Sequence, residues 1–448
     1  MALGNKILPE IGLHDIETNA LSIHKNFSWI LCGNVVYAGS QWGMLVVLAK
    51  LGTPEMLGKF ALGLAVTAPV IMFSNLHLRA VQATDAKYEY TFGDYLGLRI
   101  ATTLSALFFI VAIVFFSGYR GETAFVILAV GTAKGFEAIG DVFFGLLQQH
   151  ERMDRIAKSM MIKGPLSLAV LGMGVYLTGG VLWGVIGLAV VWAVILVSYD
   201  IRSALFIMNP LSQNQPVAPN DKAHLSVLLW PRWDIRAMTT LTWLALPLGL
   251  VMGLLSLNTN IPRYFIEKYH GQDALGIFAA IAYFLVAGNT IVGALGQSAS
   301  PRLAKFYALG NRIAFRKLIT KLIGIGALLG GVGVIIVLME GKEILALLYS
   351  PEYAEQMDAF ILLMIAGGFI YMASFLGYAM TAARQFRVQV PLFVLVCGVS
   401  IVMCKWFVPS TGLNGAAMAL ATAACVQAIG ALSIIMHALK HTEKEHRG

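Results

Sequence analysis

Twelve windows of this chain are long enough and apolar enough to cross a bilayer, and nothing else in the sequence restricts the fold as much. They fall near residues 28–48, 57–78, 95–117, 124–148, 159–179, 181–204, 237–257, 273–297, 318–338, 358–382, 388–408 and 413–437. Hydrocarbon offers no partner to a free backbone amide, so each window is expected to be a helix. With 58% hydrophobic and only 12% charged residues, and a mean hydropathy of +0.74, a soluble globular class is excluded. The chain reads as an all-α polytopic membrane protein.

Its organisation follows from the connections. The stretch around NPLSQNQPVAPNDK is the longest polar one, dividing a six-helix half (1–207) from a second (237–448) by a linker (208–236). The linker ends in HLSVLLWPRWDIR, whose Trp230 and Trp233 beside Arg232 and Arg236 suit the membrane interface. Gly179–Gly180 alone separates the fifth window from the sixth, which requires a tight hairpin. With the N-terminus placed inside, 24 of the 32 Lys and Arg residues collect on the cytoplasmic side and seven outside. That bias predicts two cytoplasmic termini, and it explains the net charge of +8 without nucleic acid. Residues 1–20 lack the pattern of a signal peptide and read as a retained cytoplasmic leader. Cys32, Cys397, Cys404 and Cys425 show no metal-binding or disulfide spacing.

The halves are related. Leu57-Gly58-Lys59-Phe60-Ala61 recurs as Leu275-Gly276-Ile277-Phe278-Ala279, 218 residues on. Gly145 with Arg152 and Arg155 recurs as Gly377 with Arg384 and Arg387 at an offset of 232. Six helices per half make the repeats parallel, about an axis along the membrane normal. The repeat is unequal in chemistry: Lys134, Glu137 and Asp141 correspond to Ala366, Phe369 and Ala373.

Those three charges form the main candidate site. In KGFEAIGDVFFGLLQQHERMDR (134–155), helical geometry puts Lys134, Glu137 and Asp141 on one face. Extending the helix adds Gln148, Arg152 and Arg155, over about 27 Å from Lys134 to Arg152 at about 1.5 Å per residue. Charges at this depth are costly and mark either a transport path or a self-neutralising structural set. Arg152 and Arg155 have no acidic neighbour on that face, which favours anion handling. Asn34, Tyr37 and Gln41 share a face of the first helix, as a sugar- or phosphate-bonding wall or as interhelical glue. Arg79 continues a polar end-run (Asn75-Leu76-His77-Leu78-Arg79) in an apolar helix, and with Arg99 it reads as a cytoplasmic portal for an anionic headgroup, since guanidinium grips phosphate at two points; Arg99 alone reads as ordinary anchoring. Asn260-Ile261-Pro262-Arg263-Tyr264 is expected to interrupt the outer end of helix seven, with Arg263 assisting release. Gly296 to Leu303, which contains Pro301 and Arg302, suits a bending gate or close helix packing. Nucleotide-binding, zinc-protease and serine-hydrolase motifs are absent from the sequence.

QWGMLVVLAKLGTPEMLGKFALGLAVTAP (41–69), NLHLRAVQATD (75–85), the segment 134–155, NIPRYFIEKYHGQDALGIFAAIAYF (260–284) and ALGQSASPRLAKFY (294–307) resemble the polysaccharide transporter family. These are the Wzx-like flippases of the multidrug/oligosaccharidyl-lipid/polysaccharide exporter (MOP) superfamily. The resemblance implies two pseudo-symmetric six-helix lobes around a central cavity that rock between inward- and outward-open states. It implies carriage of undecaprenyl-pyrophosphate-linked oligosaccharide to the outer leaflet of the bacterial cytoplasmic (inner) membrane, for a lipopolysaccharide or exopolysaccharide. A cationic cavity is common in the family, which agrees with Arg79, Lys134, Arg152, Arg155, Arg302 and Arg384; Glu137 and Asp141 depart from it.

On this reading Arg79 and Arg152 draw in the pyrophosphate, and Asn34, Gln41, Lys134, Glu137 and Asp141 face the glycan. The partners are the lipid-linked glycan, membrane lipids, and a polymerase with its assembly machinery. No cofactor is expected, and proton or sodium coupling stays open. The rival reading is an ion-coupled exporter of small cationic compounds, using Glu137 and Asp141. A membrane-embedded polymerase or acyltransferase ranks third, for want of a large outer loop or an intramembrane catalytic histidine.

Overall fold

The computed structural model describes residues 23–85, 89–208, 229–383 and 385–445. Most of the leader, most of the linker and Arg384 therefore lie outside the described residues. Fifteen α-helices follow in order. The first half holds α1 (Ile23–Leu51), α2 (Pro54–Ser74), α3 (Leu78–Thr84), α4 (Phe92–Phe116), α5 (Gly121–Gln149), α6 (Met153–Thr178), α7 (Val181–Ile195) and α8 (Ile201–Met208). The second holds α9 (Ile235–Ala282), α10 (Phe284–Ala308), α11 (Arg312–Leu348), α12 (Pro351–Ala354), α13 (Met357–Ala382), α14 (Phe386–Thr411) and α15 (Leu413–Glu445). No strand occurs among the described residues.

Eleven continuous helical stretches have spanning length and hydropathy; one, Ile235–Ala308, is long enough to cross twice. Gly271 divides it, with φ +81° and ψ −173° inside α9, a backbone that only glycine adopts without strain. Twelve spans result. The expected interruption at Pro262 is not there. Helix α9 runs straight through Pro247 and Pro262, and the seventh span ends at His270. Pro301 likewise stays inside α10. Proline removes one donor, which a packed neighbour tolerates; the left-handed glycine redirects the chain itself.

Two breaks occur where the hydropathy was continuous. The second window splits at Asn75–His77, where Leu76 (φ +48°) and His77 (φ +53°) are left-handed before α3 starts. Such residues cost roughly 1–3 kcal/mol each and persist only where packing holds them; Leu76 and Leu78 are both buried. In the sixth span Leu196–Asp200 forms a π segment between α7 and α8. The hairpin at Gly179–Gly180 is as expected, with Gly179 at φ +67° closing α6.

The repeat is visible as reciprocal contact. A Cβ on Gly58 would overlap the carbonyl oxygen of Gln272, and one on Gly276 would overlap that of Pro54. Pro54 and Gln272 are themselves 218 residues apart, so these are two copies of one contact about a shared axis. From there α2 and α9 run antiparallel in continuous contact. The Tyr264 hydroxyl donates to the Ala65 carbonyl, Gly253 receives Phe73, and Gly249 receives Leu76. The symmetry-related pair, α1 and α10, has no such extended packing; Trp42 and Phe284 meet edge to face at 6.3 Å. Trp42 Nε1 also donates to the Tyr349 hydroxyl at 3.1 Å. Beside the linker, Arg232 N donates to the Gly93 carbonyl at 2.9 Å, while Trp230 and Trp233 stay exposed as an interfacial segment requires.

Gly58→Val should therefore lower the melting temperature of the purified protein, by an overpacking cost of about 1–3 kcal/mol. Gly39→Ala, whose added methyl meets nothing within 4 Å, should leave it unchanged or raise it. A thermal shift assay in detergent separates the two.

Candidate functional site

The polar face of α5 turns inward, and each charge on it meets a different helix. Lys134 Nζ donates to Glu137 Oε2 at 2.7 Å and stands 5.0 Å from the centre of the Trp192 ring on α7. The Tyr37 hydroxyl of α1 donates to the other oxygen of Glu137, also at 2.7 Å. One turn on, Asp141 takes Arg79 Nη1 at 3.3 Å and Arg99 Nη2 at 3.6 Å. Arg79 Nε donates to Gln148 Oε1 at 3.0 Å, and the guanidinium lies 5.6 Å from the Phe144 ring. Arg99 is fully buried and gives Nη1 to Asn75 Oδ1. Lys134, Glu137, Asp141 and Arg79 keep side-chain exposures of 24 to 33%. Half-buried ions of both signs therefore share this face, each beside a group of opposite charge.

Behind this face sits a second pair. Lys163 of α6 lies 3.5 Å from Asp200, which also accepts from the Ser159 hydroxyl at 2.6 Å. Both charged side chains are essentially inaccessible, at 5% and 0%. The π segment brings Asp200 here: its wider turn carries the carboxylate round to α6. Lys163 is 5.3 Å from the centre of the Phe144 ring, which Arg79 also approaches.

Two expectations about the stripe need correction. Helix α5 stops at Gln149, Glu151 is left-handed (φ +53°), and Arg152 caps the next helix. Arg152 and Arg155 therefore do not continue the α5 face. Nor is Arg152 uncompensated: it makes a two-point contact with Asp154, at 2.9 and 3.2 Å. Arg155 meets no carboxylate among the described residues and instead stacks on Phe206, its carbon Cζ 4.1 Å from the ring centre. Arg99, read as an anchor, is a buried member of the cluster, and the Lys163–Asp200 pair was missed altogether. A lysine and an aspartate in two different apolar windows carried the signal for it, but linear spacing could not join them.

The remaining candidates are scattered. Asn34 is exposed on α1. Gln41 is half-buried, and its Nε2 is enclosed without a hydrogen-bond partner. Arg263, inside α9, donates to Asn260 Oδ1 at 3.0 Å and meets no carboxylate among the described residues. Arg302 is exposed on α10. Where the second half repeats the α5 face, Ala366 and Ala373 are at most 1% exposed and belong to the core. Ion pairs between described side chains all fall between residues 55 and 232.

No protein-family model matches the chain. It is 29% identical to the capsular polysaccharide biosynthesis protein CapF of Staphylococcus aureus, over 88% of this chain and 95% of that one. The fold is that of a multidrug resistance MATE family transporter of the MOP superfamily in an inward-facing conformation. The TM-score is 0.59 at 14% identity, covering 96% of this chain and 98% of the other. A MOP superfamily transporter from Pyrococcus furiosus, described as having a binding pocket of reversed polarity, superposes with a TM-score of 0.58 at 13% identity. It is covered to 93%, by 92% of this chain. Together these give the chain the fold of those transporters and a likeness in sequence to CapF, and with the apolar helices they support a multi-pass membrane protein.

The two ion-pair layers should respond differently to mutation. Lys163→Met strands a fully buried carboxylate and should cost about 3–5 kcal/mol of stability; adding Asp200→Leu should recover most of the loss. Thermal unfolding of the single and double variants in detergent measures both.

Proposed function

We propose that the chain moves a polyprenyl-pyrophosphate-linked oligosaccharide repeat unit from the inner to the outer leaflet of the bacterial cytoplasmic membrane, by alternating access, for surface or exported polysaccharide. The observation that carries this reading is the inequality of the two seams between the halves. Along α2 and α9 the seam is shut over its length. Along α1 and α10 it lacks extended packing. A water-soluble solute needs no side opening. A headgroup joined to a long lipid does, because its tail must stay in hydrocarbon, at about 0.8 kcal/mol per methylene, while the head travels between the halves.

In this mechanism the α2–α9 contact is the pivot, and the α1–α10 side parts to admit and discharge the lipid. The wall offered to the head carries Arg79 and Lys134 against Glu137 and Asp141, with Arg99 buried beside Asp141. Three basic groups against two acidic ones suit a pyrophosphate with its sugars better than a cationic drug, which would want an acidic excess. Tyr37, Gln41 and Asn34 supply sugar hydrogen bonding along α1. Both termini face the cytoplasm, where the basic residues gather, and a polymerase takes the unit up on the far side. The CapF resemblance supports the polysaccharide role, and the MATE-like fold supports transport.

Cells lacking the gene should lose surface polysaccharide and build up lipid-linked repeat units, as read by chromatography of extracted lipids. Lys134→Ala should reproduce that phenotype at normal protein level, whereas Phe369→Ala, its partner's position in the second half, should not. Normal lipid-linked pools in the deleted strain, with altered resistance to cationic drugs, would reverse the assignment.

A further inference from the structure

We infer that Arg79 and Arg99 form a two-guanidinium seat for a pyrophosphate group, and that Asp141 is a tethered counter-anion which occupies the seat until that group displaces it. The proposed transport supplies the source of that group; the seat itself stands on geometry.

Asp141 is shared between two guanidinium groups, one oxygen toward each. It accepts a hydrogen bond from Arg79 Nη1 at 3.3 Å and stands 3.6 Å from Arg99 Nη2, an ion-pair contact without a hydrogen bond. Lys134–Glu137 and Arg152–Asp154 close to 2.7 and 2.9 Å, the range of a charge-assisted hydrogen bond. Arg99 is fully buried, yet its Nε and Nη2 have no hydrogen-bond partner. Burying guanidinium donors unpaired is costly, and of these two Nη2 faces Asp141.

The fixed donors explain which ones are left over. Gln148 holds Nε of Arg79, and Asn75 holds Nη1 of Arg99. The left-handed turn at Leu76–His77 brings Asn75 and Arg79 to the same place, from either side of the helix break. What remains is two cations facing one monoanion. A pyrophosphate bridge esterified at both ends carries one negative charge and a pair of unbridged oxygens on each phosphorus, so it offers one charge to each guanidinium, whose fork binds such oxygens in a two-point fashion. Exposure gives the direction of entry: Arg79 and Asp141 are 30% and 29% exposed, and Arg99 is 0%. The ligand therefore meets Arg79 first and reaches Arg99 as Asp141 swings out. A tethered competitor also limits affinity, which a carrier needs in order to release its cargo.

The test is isothermal titration of inorganic pyrophosphate into the full-length protein in neutral-lipid nanodiscs. Asp141→Asn should bind it about tenfold more tightly than the parent. Adding Arg79→Ala or Arg99→Lys to that variant should abolish the gain; Arg79 is partly exposed and Arg99→Lys keeps the charge, so both leave a folded protein. Unchanged or weaker binding by Asp141→Asn would overturn the seat. Polyprenyl pyrophosphate in the nanodisc should compete, which assigns the site to a lipid headgroup; tight binding of free pyrophosphate without such competition would support the seat but assign it to a soluble phosphoryl compound. Unchanged binding by Asp141→Asn in a protein whose deletion does build up lipid-linked units would sink the seat alone. A tighter Asp141→Asn without that build-up would sink the transport reading alone.

Discussion

A carboxylate inside a bundle of apolar helices stays ionised only where the protein supplies a cation in place of water. Leaving one partner of a buried pair without the other costs several kcal/mol. That constraint organises the first half of this protein. Glu137 is satisfied by Lys134 and by Tyr37 of α1. Asp141 is approached by Arg79 at the start of α3 and by Arg99 of α4. Asp200 needs Lys163 of α6. Each pair fixes one helix against another at a definite height. The polar face of α5 is therefore the key that sets its neighbours in register, and under the proposed function it is also the wall of the path.

The duplicated scaffold and the unduplicated chemistry divide the work. Reciprocal contacts of Gly58 and Gly276 show the halves meeting about a common axis. Away from that point the symmetry fails in two ways. The charged positions of α5 become buried Ala366 and Ala373 in α13. The seam between α2 and α9 is packed, whereas its counterpart is not. A symmetric carrier would open equally on both sides. Under the proposed function, one closed and one loose seam confine the opening to a single side of the bundle, which is what a substrate with a membrane-bound tail requires.

Most of the scaffold was legible because hydropathy reports on the bilayer, which acts on every residue alike. The nearness of Lys134, Glu137 and Asp141 was legible because it depends on one helix only. What failed to show was anything decided between helices. Arg152 looked free because Asp154 lies two residues on, outside the assumed face. Arg99 looked like an anchor because its partner is 42 positions away in another span. The π segment at Leu196–Asp200 leaves no mark in composition. Pro262 misled for a related reason: a proline is conspicuous in sequence, yet the chain turns at Gly271, where backbone freedom matters more than a lost donor.

The central physical claim is that the matched charges of α5 line the route taken by the headgroup, beyond holding helices together. Proteoliposomes containing a fluorescent undecaprenyl-pyrophosphate oligosaccharide measure this directly, as the fraction of label that becomes accessible to an external quencher. A Lys134→Leu/Glu137→Leu protein, which removes one complete pair and leaves no orphan charge, should remain folded and lose leaflet transfer. Transfer at the parent's rate in that folded variant would contradict the claim and reduce the stripe to structural glue.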